Sequence, residues 1–120
     1  MILVDTSVWV DHLRSGDAQL MAFLDHGEVM THAFVLGELA CGNLRQRTEV
    51  LTLLRRLPQA TEIRDEEALL FIERHALMGR GIGYVDVHLL AATAMDGRAK
   101  LWTRDRHLRL IADELGLALE

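Results

Sequence analysis

Short segments dominated by apolar residues recur along this chain between longer stretches with helical spacing. Met1–Val4 predicts a first strand, Glu28–Thr31 a second, Ala60–Ile63 a third, Ala99–Trp102 a fourth and Leu117–Leu119 a fifth. Between them, steps of three, four and seven gather apolar side chains on single helical faces. One such face holds Leu20, Phe23 and Leu24, a second Val50, Leu51, Leu54 and Leu57 ahead of Pro58, and a third Leu69, Leu70, Ile72 and Ala76. The most apolar helix begins near Tyr84 and continues through Ala91, Ala92, Ala94 and Met95; being hydrophobic all round, it is expected to be deeply buried. Strands alternating with helices predict an α/β fold, a central mainly parallel sheet of about five strands with helices on both faces.

Composition narrows the class. A chain of 120 residues suits one domain spanning 1–120, with 50% hydrophobic and 26% charged residues, the balance of a packed protein. No repeat, linker or low-complexity tract interrupts it. The apolar start reaches Asp5 after four residues and has no basic flank, so a buried strand in a cytoplasmic protein, with no membrane partner, is expected. Cys41 has no second cysteine for a disulfide or a thiolate zinc site and is expected to be packed and inert.

The net charge of −5 at first argues against a nucleic-acid partner. That reading reverses if several carboxylates surround a divalent cation, which changes the sign of the field a phosphate meets. Lys100 is the single lysine among thirteen Lys and Arg; the arginines, among them Arg45, Arg47, Arg55, Arg56, Arg80, Arg104, Arg106 and Arg109, suit forked contacts with phosphate or act as solvated ion pairs.

Four acids stand out by position. Open parallel sheets place ligands beyond the carboxyl ends of their strands. Asp5 follows the first strand and Asp105 lies three residues after Trp102. Asp86 falls in the first turn of the buried helix, where the helix dipole favours a carboxylate, and Glu38 lies on the helix after the second strand. As helix caps or dipole partners, Asp5 and Asp105 also have purely structural explanations. Glu38 in Leu36-Gly37-Glu38-Leu39-Ala40 and Asp86 in Gly83-Tyr84-Val85-Asp86-Val87 are charges in apolar surroundings, which need a cation or several hydrogen bonds.

Other constellations are weaker. Gly79-Arg80-Gly81-Ile82-Gly83 lacks the Lys-Ser/Thr ending of a phosphate loop and reads as the connection leading to Asp86. His88 and His107 lie two residues from Asp86 and Asp105 and face elsewhere on their helices, so no histidine zinc site is expected. Trp9 and Trp102 read as core residues.

Asp5-Thr6-Ser7-Val8-Trp9, Gly37-Glu38-Leu39-Ala40-Cys41-Gly42, Asp86-Val87-His88-Leu89-Leu90-Ala91-Ala92-Thr93-Ala94 and Leu101-Trp102-Thr103-Arg104-Asp105 together resemble, in order and spacing, the four signature segments of PIN-domain proteins, and more narrowly VapC-type toxins of toxin–antitoxin pairs. The resemblance implies an endoribonuclease using Mg2+ or Mn2+, a homodimer, and a small VapB-like antitoxin whose tail lies across the site. It implies Asp5, Glu38, Asp86 and Asp105 as catalytic residues, with Thr6 and Thr103 assisting. Asp5, Asp86 and Asp105 would then be direct or water-mediated metal ligands, and Glu38 either a further ligand or the group that orients the attacking water. Leu39, Leu44, Val50, Leu51 and Leu54 flank Asn43 and would form either a hairpin groove for the antitoxin or part of the core. A phosphatase using Asp5 as nucleophile and a non-catalytic binding module are the rival classes.

Overall fold

A computed structural model describes the whole chain, Met1–Glu120. Its sheet is parallel and three-stranded, with β1 (Ile2–Val4) between β2 (Val29–Met30) and β3 (Lys100–Trp102). Leu3 pairs with Met30 on one side and Leu101 on the other. A central parallel strand is shielded from water on both faces and therefore needs an unbroken apolar run. Ile2, Leu3 and Val4 supply it, all buried.

Three strands replace the five expected. The segments read as third and fifth strands do run beside the sheet, but each makes a single parallel bridge, Thr31 with Gln59 and Leu101 with Ala118. Successive residues of a strand direct their backbone groups to opposite edges. Lys100 N–H donates to Met1 and Trp102 O accepts from Asp5, both towards β1, so Leu101 alone faces outward, accepting from Leu119 at 2.9 Å and donating to Leu117 at 2.7 Å. Thr31 is the one outward position past the two-residue β2, bonded to Pro58 and Ala60. Strands this short leave room for one pair at each edge.

Helices fill the connections: α1 (Thr6–Ser15), α2 (Ala18–Asp25), α3 (Ala33–Ala40), α4 (Arg47–Arg56), α5 (Asp65–His75), α6 (Tyr84–Asp96) and α7 (Arg106–Glu114). In α6, Val87 through Thr93 are buried as the pattern predicts, whereas Ala94 and Met95 emerge into solvent. The α3–α4 hairpin is closed by Arg47, whose guanidinium donates to the carbonyls of Ala40 and Gly42 at the end of α3. Leu39 and Leu54 of this hairpin are in the core, and Leu44, Val50 and Leu51 are half-buried. Cys41 is exposed at the end of α3 instead of packed.

This topology creates the place for a site. From β1 the chain moves outward on one side through β2 to Gln59, then returns to β3 on the other side of β1 and continues outward to Ala118. The strand order therefore reverses between β1 and β3, and the crevice beyond their carboxyl ends is where such sheets bind ligands.

Candidate active site

Asp5 and Asp105 lie at that crevice. Asp5 directly follows β1 and caps α1, and the residue is only 6% exposed. Oδ1 accepts from Thr6 N–H at 2.8 Å; Oδ2 accepts from the Ser7 hydroxyl at 2.9 Å and the Thr103 hydroxyl at 2.7 Å. Three neutral donors thus hold a buried carboxylate, with no cation beside it. Thr103 also accepts from the Asp105 N–H at 3.0 Å, and Asp105 caps α7 by accepting from Leu108 N–H at 2.9 Å. One hydroxyl therefore joins the first acid to the last.

The other two acids approach from separate helices. Asp86, in the first turn of α6, folds back so that Oδ2 accepts from Gly83 N–H at 3.0 Å. Glu38 accepts from the Thr6 hydroxyl at 2.6 Å, which ties α3 to the start of α1. Glu38 is solvent-exposed despite its apolar neighbours in sequence, while Asp5 is the buried acid. Burial holds Asp86 above its ordinary carboxylate range; the negative charges of Asp5, Asp105 and Glu38 push it the same way, opposed by the Gly83 N–H. All four acids thus share one electrostatic neighbourhood. None takes part in an ion pair.

The donor set fits a hard divalent cation. It consists of oxygens only, and Asp86 Oδ1 and Asp105 Oδ2 carry no protein hydrogen bond. No three side chains are arranged to enclose an ion directly. Mg2+ tolerates this arrangement because it keeps several waters and takes only one or two carboxylates.

Of the arginines that suited either phosphate contacts or ion pairs, Arg80 pairs with Glu114, Arg104 with Asp11 and Asp17, and Arg109 with Asp113. Arg47 is taken up at the end of α3. Trp9 is buried, and half-buried Trp102 meets Phe23 edge-on at the margin of the core. Ser7, absent from the sequence-based site, bonds Asp5 and also accepts from Arg104 N–H at 3.0 Å. Its place beside a capping aspartate was the available signal. His32 and His88 are fully buried with ring centroids 6.4 Å apart, a pairing that residues 56 positions apart do not announce in sequence.

An all-oxygen acidic site at the switch point of a small parallel sheet defines a recognisable class. The chain belongs to the PIN domain family, whose profile matches residues 2–114. It is 47% identical over 119 residues to Ribonuclease VapC32 of Mycobacterium tuberculosis, both in strain CDC 1551 / Oshkosh and in strain ATCC 25618 / H37Rv, covering 99% of this chain and 96% of that protein. Among solved structures, FitAcB from Neisseria gonorrhoeae superposes with a TM-score of 0.59 at 25% identity, covering 94% of each chain. FitAB bound to an IR36 DNA fragment gives 0.58 at 21% identity over 94% of this chain and 91% of that one, a likeness of fold alone.

Proposed function

We propose that this protein is a Mg2+- or Mn2+-dependent endoribonuclease of the VapC type that hydrolyses RNA phosphodiester bonds, with Asp5, Asp86 and Asp105 holding the metal and Glu38 serving the attacking water. The observation that carries the reading is the meeting of four carboxylates without ion-pair partners at the sheet's switch point, one of them, Asp86, raised in pKa by burial and further by the charges of the other three. Such mutual repulsion is relieved by a divalent cation. The 47% identity to a named ribonuclease over nearly the whole chain supports RNA as substrate.

When bound, the ion supplies positive charge at the scissile phosphate and lowers the pKa of a coordinated water. The chain's residues do the rest. Thr6 N–H, Ser7 and Thr103 fix the orientation of Asp5. The Gly83 and Leu108 N–H groups each hold one oxygen of Asp86 and Asp105, leaving the other turned to the ligand side. Thr6 anchors one oxygen of Glu38 at the solvent-facing rim, where the second takes the proton of the attacking water as the new P–O bond forms and the ribose oxygen leaves. Both oxygens of Asp5 accept hydrogen bonds, which suits a ligand better than the free nucleophile of a phosphatase.

A small VapB-like antitoxin and a second copy of the chain complete the proposal, both resting on the family relationship. Leu70 of α5 and Met95 of α6, 59% and 57% exposed, line one shallow apolar cleft, and this surface supports self-association. Incubating the protein with structured RNA or a generic phosphate ester, with and without Mn2+, tests the activity. Mn2+-dependent cleavage of RNA alone is expected; ester hydrolysis alone identifies a phosphatase, and inertness towards both a binding module.

A further inference from the structure

Arg104 stands between Thr103 and Asp105, yet its side chain turns away from the acidic site. One guanidinium nitrogen donates to Asp11 Oδ2 on α1 and another to Asp17 Oδ2 at the start of α2, each at 2.5 Å. Its backbone N–H donates to the Ser7 hydroxyl at 3.0 Å. Ser7 and Asp11 are one helical turn apart on α1 and share a face. Residue 104 therefore grips the same stripe of α1 with its main chain and its side chain. Asp17 reaches it while its other oxygen caps α2 through Leu20 N–H at 2.9 Å, and that bond, with Arg104 as a further cause, holds its carboxyl below the usual range.

We infer that Arg104 is a positioning residue: the Asp11–Arg104–Asp17 clamp fixes the turn that sets Thr103 against Asp5 and presents Asp105 to the metal. The inference rests on the proposed metal-dependent activity and extends it to residues outside the acidic cluster. The other side-chain hydrogen bonds of the turn run to the start of α1 or within residues 103–108, and the clamp adds the tie to the start of α2. β3 ends at Trp102 and α7 starts at Arg106, and Thr103 and Asp105 face inward to Asp5 and to the α7 cap. Exposed ion pairs contribute little to stability by themselves, so stability alone gives the clamp little to do. A group that orients metal ligands changes metal affinity by about tenfold or more when removed.

The sign of the effect separates the possible roles. Removing a positive charge close to a cation site tightens cation binding if Arg104 acts through space alone. Losing the turn's geometry weakens it. Mn2+ affinity is measured on the protein without RNA, from the free-ion electron paramagnetic resonance signal, beside Mn2+-dependent RNA cleavage and thermal melting. In Arg104→Met, Mn2+ binding is expected to weaken about tenfold, with a matching rise in the Mn2+ concentration for half-maximal cleavage. Arg104→Lys, which can keep one of the two contacts, is expected to recover part of the loss. Should Arg104→Met not fold, Arg104→Gln, which removes the same positive charge and cannot span both carboxylates, is expected to weaken Mn2+ binding in the same direction. Unchanged or tighter Mn2+ binding in the folded variant overturns the inference, whereas absence of Mn2+ binding in the unaltered protein overturns the metal-dependent reading itself.

Discussion

The hydroxyl of Thr103 lies 2.7 Å from Oδ2 of Asp5, joining residues 98 positions apart across the carboxyl ends of β1 and β3. The same oxygen accepts from the Asp105 N–H, so Thr103 sets two of the proposed metal ligands relative to each other. Thr103→Val keeps the shape and removes both bonds. RNA cleavage is expected to fall about tenfold to a hundredfold, with stability lowered by about 1–3 kcal/mol because a buried carboxylate loses a donor. Thr103→Ser is expected to retain most of the activity; initial cleavage rates and urea melts of the two variants provide the check.

Asp86 links the site to stability. Its folded-state pKa is raised, so the fold disfavours the ionised form. That penalty is absent below the unfolded value of 3.8, grows as pH rises towards the folded value, and is constant above it. Asp86→Asn keeps an oxygen for the Gly83 N–H and removes one charge from the cluster. Without divalent ions at pH 7 it is expected to melt higher than the unaltered protein, with the gap closing as pH falls through this window. Saturating Mn2+ is expected to shrink or reverse the gap by stabilising only the unaltered site. Equal melting temperatures across the pH range would mean that neither burial nor the neighbouring acids penalise the charge on Asp86.

His32 governs the acid side in the opposite sense. Burial holds its pKa below 6.5, with nearby His88 adding to the effect and Glu62 opposing it. The unfolded chain therefore takes up a proton below pH 6.5 that the folded chain resists, and stability falls as pH drops from there. His32 also caps α3, its Nδ1 accepting from Phe34 N–H at 2.9 Å. In His32→Asn the cap acceptor survives. Its melting temperature is expected to be lower at pH 7 but to decline less between pH 7 and 5 than that of the unaltered protein. A parallel decline would assign the acid sensitivity elsewhere.

Gly81 meets a steric test in the loop before α6. Its φ is +84°, and an added Cβ would lie 3.0 Å from the His107 ring on the first turn of α7. Gly81→Ala thus combines a disfavoured backbone with a contact that displaces His107, two residues from Asp105. Destabilisation of about 1–3 kcal/mol is expected by chemical denaturation, with a loss of cleavage that high Mn2+ partly restores.

The sequence carried the site's location better than its environment. Asp5 and Asp105 could be placed at one sheet edge because a strand's end and a helix's start are local features. Their partners are not local: Thr103 and Ser7 on Asp5, or Thr6 on Glu38, are set by how α1, α3 and β3 pack. Apolar neighbours in sequence suggested that Glu38 was buried, yet Leu39 turns inward while Glu38 and Gly37 face solvent, since adjacent helical residues point in different directions. The two outer strands were legible as extended apolar segments. Their failure to form ladders follows from the shortness of β2 and β3, which is fixed by where α3 and α7 begin.

The proposed metal site is tested most directly by RNA cleavage with and without Mn2+ by the unaltered protein and by Asp5→Asn, each shown to be folded by circular dichroism. Asn keeps an acceptor oxygen for Thr6 N–H and turns an NH2 donor to the Ser7 and Thr103 hydroxyls, which can accept from it, but removes the negative charge at the centre of the cluster. The prediction is Mn2+-dependent cleavage by the unaltered protein and a loss of about a hundredfold or more in the variant, with the fold intact. Cleavage by Asp5→Asn at the unaltered rate, or equal cleavage by the unaltered protein in excess chelator, would contradict it.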